Sequence, residues 1–252
     1  MNTTICADHF RAAMDIPLAL ANEAALRAAL QALLHELLAE PRRRHDPRLQ
    51  SMLVACRLRL RALQNLLAAT QQAQDLALWR CDIRSLLEDL CAAADLMLSP
   101  LGRSLRFEAP EECIEAVCAP RELSWLALEM ICNAVRHTQG EEIAVAMQLK
   151  RPPRNRKATA CVVTIESQGS IDLARLHAST AREDSGAAAM LRTAWLHQGA
   201  LLWLEREGCS VAALRVPLKK SSGLPLWEPP DLVELLSDQC SQVYVGLAQV
   251  LG

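Results

Sequence analysis

Aromatic residues are scarce: one tyrosine, two phenylalanines and five tryptophans in 252 residues, 3% in all. A core must therefore be built from Leu, Ala, Val and Met. A basic stretch in such a chain has no interleaved rings to stack on bases, which argues against a nucleic-acid surface. Ten cysteines are present but no CxxC pair. The closest two, Cys113 and Cys118, lack zinc spacing, and a chain of this length is not a small disulfide scaffold. They read as reduced, mostly buried thiols of a cytosolic protein. No apolar run approaches the roughly 18 residues of a membrane span, and MNTTICADHF has no signal-peptide pattern. The expectation is a soluble, cytoplasmic protein without a membrane span. Neither sign of charge dominates: the formal net charge of -2 points to no particular polyelectrolyte partner.

What is present is an ordinary globular balance, 51% hydrophobic and 22% charged, enough for one large domain or two modest ones. The segment from Ile16 to Glu40 is rich in Ala and Leu, with Leu26, Leu30, Leu33 and Leu37 at alternating steps of four and three. Pro41, the run Arg42-Arg43-Arg44 and Asp46-Pro47 break that pattern. A second helix then carries Leu49, Leu53, Cys56, Leu60, Leu63 and Leu67 at the same steps. Two such seams joined by a tight connection make a helical hairpin. It can bury its remaining apolar surface by dimerising into a four-helix bundle, or by folding against the rest of its own chain. The arginines Arg42, Arg43, Arg44, Arg48, Arg57, Arg59 and Arg61 read most simply as a solvated face, with a docking surface for an acidic protein as the alternative.

Past Trp79 the pattern changes. Cys81 to Leu98 reads as an amphipathic helix, Leu105–Glu108 and Cys113–Cys118 as short strands, and Leu123 to Thr138 as a central helix ended by Gln139-Gly140. Ile143–Leu149 and Thr159–Glu166 read as strands. Ser167 to Ser185 is polar and irregular, and Gly186 to Gln198 helical. Ala200–Arg206 and Ser210–Val216 pair as a hairpin across Glu207-Gly208-Cys209. The expected fold class is α+β: a helical hairpin over 1–78, an α/β sandwich over 79–218, and a tail over 219–252 with a Pro-rich linker and an apolar end.

The central helix carries Glu129 and Asn133 four residues apart, hence on one face, with Arg136 and His137 at its next turn. A solvated stripe is the plain reading of these residues. The surrounding order of elements, however, resembles the dimerisation and ATP-binding core of sensor histidine kinases. ELSWLALEMICNAVRHT is similar to the family's N box: Glu129 falls on the acidic position, Asn133 on the asparagine, and Arg136-His137-Thr138 on the basic, aromatic and hydroxyl ending. The resemblance implies that the Asn133 carbonyl oxygen ligates Mg²⁺ and that Glu129 handles or orients a proton near the γ-phosphate of ATP. Arg136 and His137 would then lie near the phosphates. Ser167 stands where the family has an adenine-reading aspartate, when Gly169 is set on the first glycine of its box. Gly186 is the glycine kept from the second box, with Asp184 facing the same phosphates. On the hairpin, His35-Glu36 carries the dipeptide of the phospho-accepting helix, with Pro41 six residues on; a surface histidine is the alternative, and a frame on Pro17 offers only Ala12 and His9.

The resemblance covers about Ile16 to Leu218 and implies a homodimer that autophosphorylates on His35 from ATP and passes the group to a response regulator. The departures in both glycine boxes favour a second reading: a non-catalytic relative acting as a dimeric scaffold or phosphotransfer partner. A third, a kinase acting on a partner's serine, has only the N box in its favour.

Overall fold

The structure is a computed structural model that describes residues 23–39, 46–153, 157–181, 185–219 and 223–251. Pro41, Arg42 to His45, Asp184 and the frame around His9 and Pro17 lie outside the described residues.

Helix α1 (Glu23–Ala39) and helix α2 (Pro47–Thr70) form the hairpin. The Asp46 carboxylate caps α2 by accepting from the Arg48 N–H, with Pro47 in the first turn where its missing N–H costs nothing. Leu26, Leu30 and Leu33 meet Leu49, Leu53, Cys56, Leu60 and Leu63 in one buried cluster, as the four-and-three spacing requires. Leu67, the last residue of the expected seam, is exposed. The cluster is closed by Cys240 and Val245 from the far end of the chain, so the seam is buried within a single copy.

Strand β1 (Trp79–Asp82) precedes helix α3 (Ile83–Leu98). Cys81 and Asp82, expected to be helical, belong to that strand, and Asp82 caps α3 by accepting from the Arg84 N–H. Strands β2 (Ser104–Glu108) and β3 (Glu115–Cys118) follow, then helix α4 (Pro120–His137), β4 (Glu142–Lys150) and β5 (Ala160–Gln168). Helix α5 (Leu173–Thr180) orders part of the stretch read as irregular. Helix α6 (Gly186–Leu196) leads to the hairpin of β6 (Ala200–Arg206) and β7 (Cys209–Pro217). Its turn is two residues long, Glu207 and Gly208, both at positive φ (54° and 78°), the conformation whose twist matches paired strands.

The main sheet runs β2–β4–β5–β7–β6, parallel at β2/β4 and antiparallel elsewhere. Its register aligns Phe107, Val145, Ile165, Ala212 and Trp203 in one row across all five strands. Two residues along, Ile143, Ser167 and Ser210 form the next row on the same face. That face packs on α3, α4 and α6. A small second sheet joins β3, β1 and β8 (Leu226–Trp227), the last paired parallel to β1.

The tail continues as α7 (Leu232–Ser237), α8 (Gln242–Gly246) and α9 (Ala248–Leu251). Val243, Val245 and Leu247 are fully buried. Gly246 allows the close approach: a Cβ there would lie 3.0 Å from Leu128 Cβ of α4. The tail thus docks on its own chain, against both the hairpin and the central helix.

Candidate functional site

Helix α4 is buried from Leu123 through Cys132 and opens again at its last turns, where Asn133 is half-buried and Arg136 and His137 are exposed. Glu129 lies on the same face but is 2% exposed, because α2 crosses above it. Arg61 of α2 donates from Nε to Glu129 Oε1 at 2.7 Å and from Nη2 to Oε2 at 2.6 Å. The Arg61 side chain is itself only 3% exposed, and its Nη1 is buried with no hydrogen-bond partner. Burial raises the Glu129 carboxyl above the usual carboxylate range, opposed by the Arg61 and Arg136 charges.

Further contacts hold α2 in place. Asn65, one turn beyond Arg61, accepts from Trp125 Nε1 at 3.2 Å. Arg192 of α6 donates Nε and Nη2 to the Gln71 carbonyl at 3.1 and 3.0 Å. Arg57 donates to the Gln239 carbonyl at 3.2 Å and stacks 4.7 Å from the Tyr244 ring centroid. The arginine run is therefore not uniformly solvated: Arg57 and Arg61 are buried. The stems of these residues cover apolar surface while their heads meet fixed acceptors or a ring face.

Below this crossing lies a cavity of about 430 Å³, within the range of ligand sites. Ile165, Met190, Trp203 and Ala212 supply its apolar floor. Ser167, placed on the inner face by strand alternation, pairs its hydroxyl with that of Ser210 at 2.9 Å. The Asn133 amide lies 3.8 Å from Met190 Sδ. At the rim, Arg136 donates to Gln249 Oε1 at 2.9 Å, and Asp172 caps α5 by accepting from the Arg175 N–H at 2.9 Å. Partial burial, then the charges of Arg136 and Arg175, lower the pKa of His137 below the ordinary histidine value.

Of the residues singled out in the sequence, Glu129, Asn133, Arg136, His137, Ser167 and Gly186 line this one cavity. Gly169 stands just behind it at φ 132°, where a Cβ would lie 3.2 Å from the His137 carbonyl oxygen. His35 is elsewhere, exposed on α1. Arg61, Asn65, Arg175 and Trp203 were not singled out as site residues. A trace of the first two is legible: Arg57, Arg61 and Asn65 step by four along α2, a polar stripe flanking the leucine seam.

No protein-family model matches the sequence, and no curated protein matches it. Solved structures do. The histidine kinase AdeS of Acinetobacter baumannii aligns with a TM-score of 0.55 at 14% identity, over 77% of this chain and 96% of that one. Full-length ShkA, solved in complex with AMPPNP, aligns with a TM-score of 0.56 at 14% identity, over 72% of this chain and 40% of that one. The chain thus spans about two fifths of ShkA's length. At such identity the likeness is one of fold. The chain has the fold of a histidine-kinase core, a helical hairpin followed by an ATPase-type sandwich.

Proposed function

We propose that this protein is a non-catalytic relative of the sensor histidine kinases, a phosphotransfer and scaffold protein for response regulators that takes no phosphoryl group from ATP. The observation that carries this reading is the buried bidentate pair between Arg61 and Glu129. In the kinases that the sequence resembles, the carboxylate at this position works beside the γ-phosphate. Here both of its oxygens accept from a guanidinium delivered by the hairpin, which leaves neither disposed toward a reacting proton.

Two more features support the reading. The Ser167 hydroxyl, at the base-reading position, is turned to Ser210, and it brings no charge to an exocyclic amine. The Asn133 amide nitrogen donates toward the Met190 thioether at 3.8 Å, a weak contact that does little to hold the carbonyl oxygen toward a cation. The donor set does not fit Mg²⁺-ATP, and no step is assigned to it. His35, exposed on α1, is the residue that would accept the phosphoryl group. The phosphoryl group of a response regulator's aspartyl phosphate would pass to the imidazole. The P–O bond to the aspartate breaks as the N–P bond forms, the carboxylate is restored, and the imidazole gives up its ring proton to solvent. A homodimer belongs to the same proposal, formed by a face other than the leucine seam, which Cys240 and Val245 close within one copy.

Incubation with radiolabelled Mg²⁺-ATP is expected to leave no acid-labile phosphate on the chain. A response regulator charged with labelled acetyl phosphate is expected to transfer label to it, and a His35→Ala variant to take none. Acid-labile label drawn from ATP, and lost in Asn133→Ala, would restore the kinase reading. Light scattering in solution reads the dimer directly.

A further inference from the structure

We propose that the cavity beneath the hairpin takes an apolar anion, an aryl or acyl group bearing a phosphate or carboxylate, without help from a divalent metal. The inference rests on the reading that this site no longer serves Mg²⁺-ATP, and it goes further by naming what the site is built to hold.

The floor is the first argument. Ile165, Met190, Trp203 and Ala212 form an apolar surface, and the two hydroxyls among them, Ser167 and Ser210, satisfy each other at 2.9 Å. Such a floor accepts a flat or branched hydrocarbon body and offers nothing charged to read a purine edge. The rim is the second argument. Among the described residues, the charged side chains that line the cavity are Arg61, Arg136 and Arg175 against Glu129 and Asp172. Glu129 is balanced by Arg61 within their buried pair, and one Asp172 oxygen is held by the Arg175 backbone N–H. Among the described lining residues one positive charge is therefore in excess at the mouth, where the Arg136 and Arg175 guanidiniums stand against Asp172.

His137 lines the same rim, and partial burial first, then the Arg136 and Arg175 charges, favour its neutral form, so the excess charge there is that of the guanidiniums. Gln249 of the tail fixes the Arg136 guanidinium in place. A permanently charged planar fork suits a phosphate or carboxylate, and it supplies in protein form the charge that a nucleotide site draws from a metal ion. Among the described residues no group of three or more His, Cys, Asp or Glu could hold such an ion.

The test is calorimetric titration of the full chain, in EDTA, with 1-naphthyl phosphate, 1-naphthoate, 1-naphthol and inorganic phosphate. The aryl phosphate is expected to bind, with quenching of Trp203 fluorescence that a Trp203→Phe variant loses. Naphthol and inorganic phosphate are expected to bind at least tenfold more weakly, and the ratio of naphthyl phosphate to naphthoate tells which anion the rim prefers. Arg175 is exposed, so Arg175→Ala is expected to fold normally and to weaken binding roughly tenfold, the effect of removing one charge-assisted contact. Absence of binding at millimolar naphthyl phosphate overturns the proposal. So does binding unchanged in both Arg136→Ala and Arg175→Ala, equal binding of inorganic phosphate, or a requirement for Mg²⁺. None of these results bears on transfer to His35: ATP-derived labelling would remove the reading on which this inference rests, whereas failure of the titration leaves that reading standing.

Discussion

At the scale of single residues, the Arg61–Glu129 pair sets the behaviour of the site. Two charges removed from water gain back their hydration only through close mutual contact, so the pair as a whole contributes little to stability while each half alone is costly. Arg61→Ala is expected to destabilise the protein by about 3–5 kcal/mol, measured by urea denaturation, because it strands a buried carboxylate. Arg61→Met combined with Glu129→Leu should recover most of that loss, and a double variant as unstable as the single would refute the account. His137 yields a prediction in pH. Its folded pKa lies below its unfolded value, so the native state resists a proton that the unfolded chain accepts. Stability should therefore fall as pH drops below about 6.5, and a His137→Gln variant should show a shallower fall over the same window. The shared face of Glu129 and Asn133 was legible in their spacing. Arg61 was not, because its partner lies 68 positions away and an arginine on a helix is ordinarily solvated.

At the scale of elements, the two glycines read from the boxes turn out to differ. Gly169 ends β5 at φ 132°, a conformation closed to other residues, and a side chain there would press on the carbonyl that ends α4. Gly186 opens α6 with ordinary backbone, and an added Cβ would meet Asn65 Nδ2 at 3.5 Å and Glu129 Oε2 at 3.7 Å, normal contact distances. Gly169→Ala is expected to cost about 1–3 kcal/mol in a thermal or chemical melt, and Gly186→Ala close to nothing. Equal effects would show that neither backbone matters. The long periodic elements, α2, α4, β4 and β5, could be read from sequence because their burial patterns repeat over many residues. Strands β1 and β8 could not: at four and two residues they exist only through pairing with β3 and with each other. Helix α5 sits in a polar segment, LARLHAST, too short for its period to show.

At the scale of the whole molecule, the sequence left open whether the hairpin folds on its own chain, and the tail decides it. Val243, Val245 and Leu247 carry no exposed surface, and they sit where hairpin and central helix meet. Leu247→Ala is expected to destabilise by about 2–5 kcal/mol, the range for emptying a buried leucine site. Should the variant lose less than 1 kcal/mol, the docking would be superficial. The bulk composition foretold a sufficient core, but not that one core would be shared by segments from both ends of the chain.

The crossing of α2 over Glu129 has a thermodynamic consequence. A hairpin that were a separate foldon could open while the sandwich stayed intact, giving two steps on heating. Here its departure would strip Glu129 of its cation, unseat Asn65 from Trp125 and release the Gln71 carbonyl from Arg192 in one event. The chain should melt as a single cooperative unit, its calorimetric enthalpy equal to the van't Hoff enthalpy, and signalling that needed the helices to swing free would have to unfold the protein to obtain it.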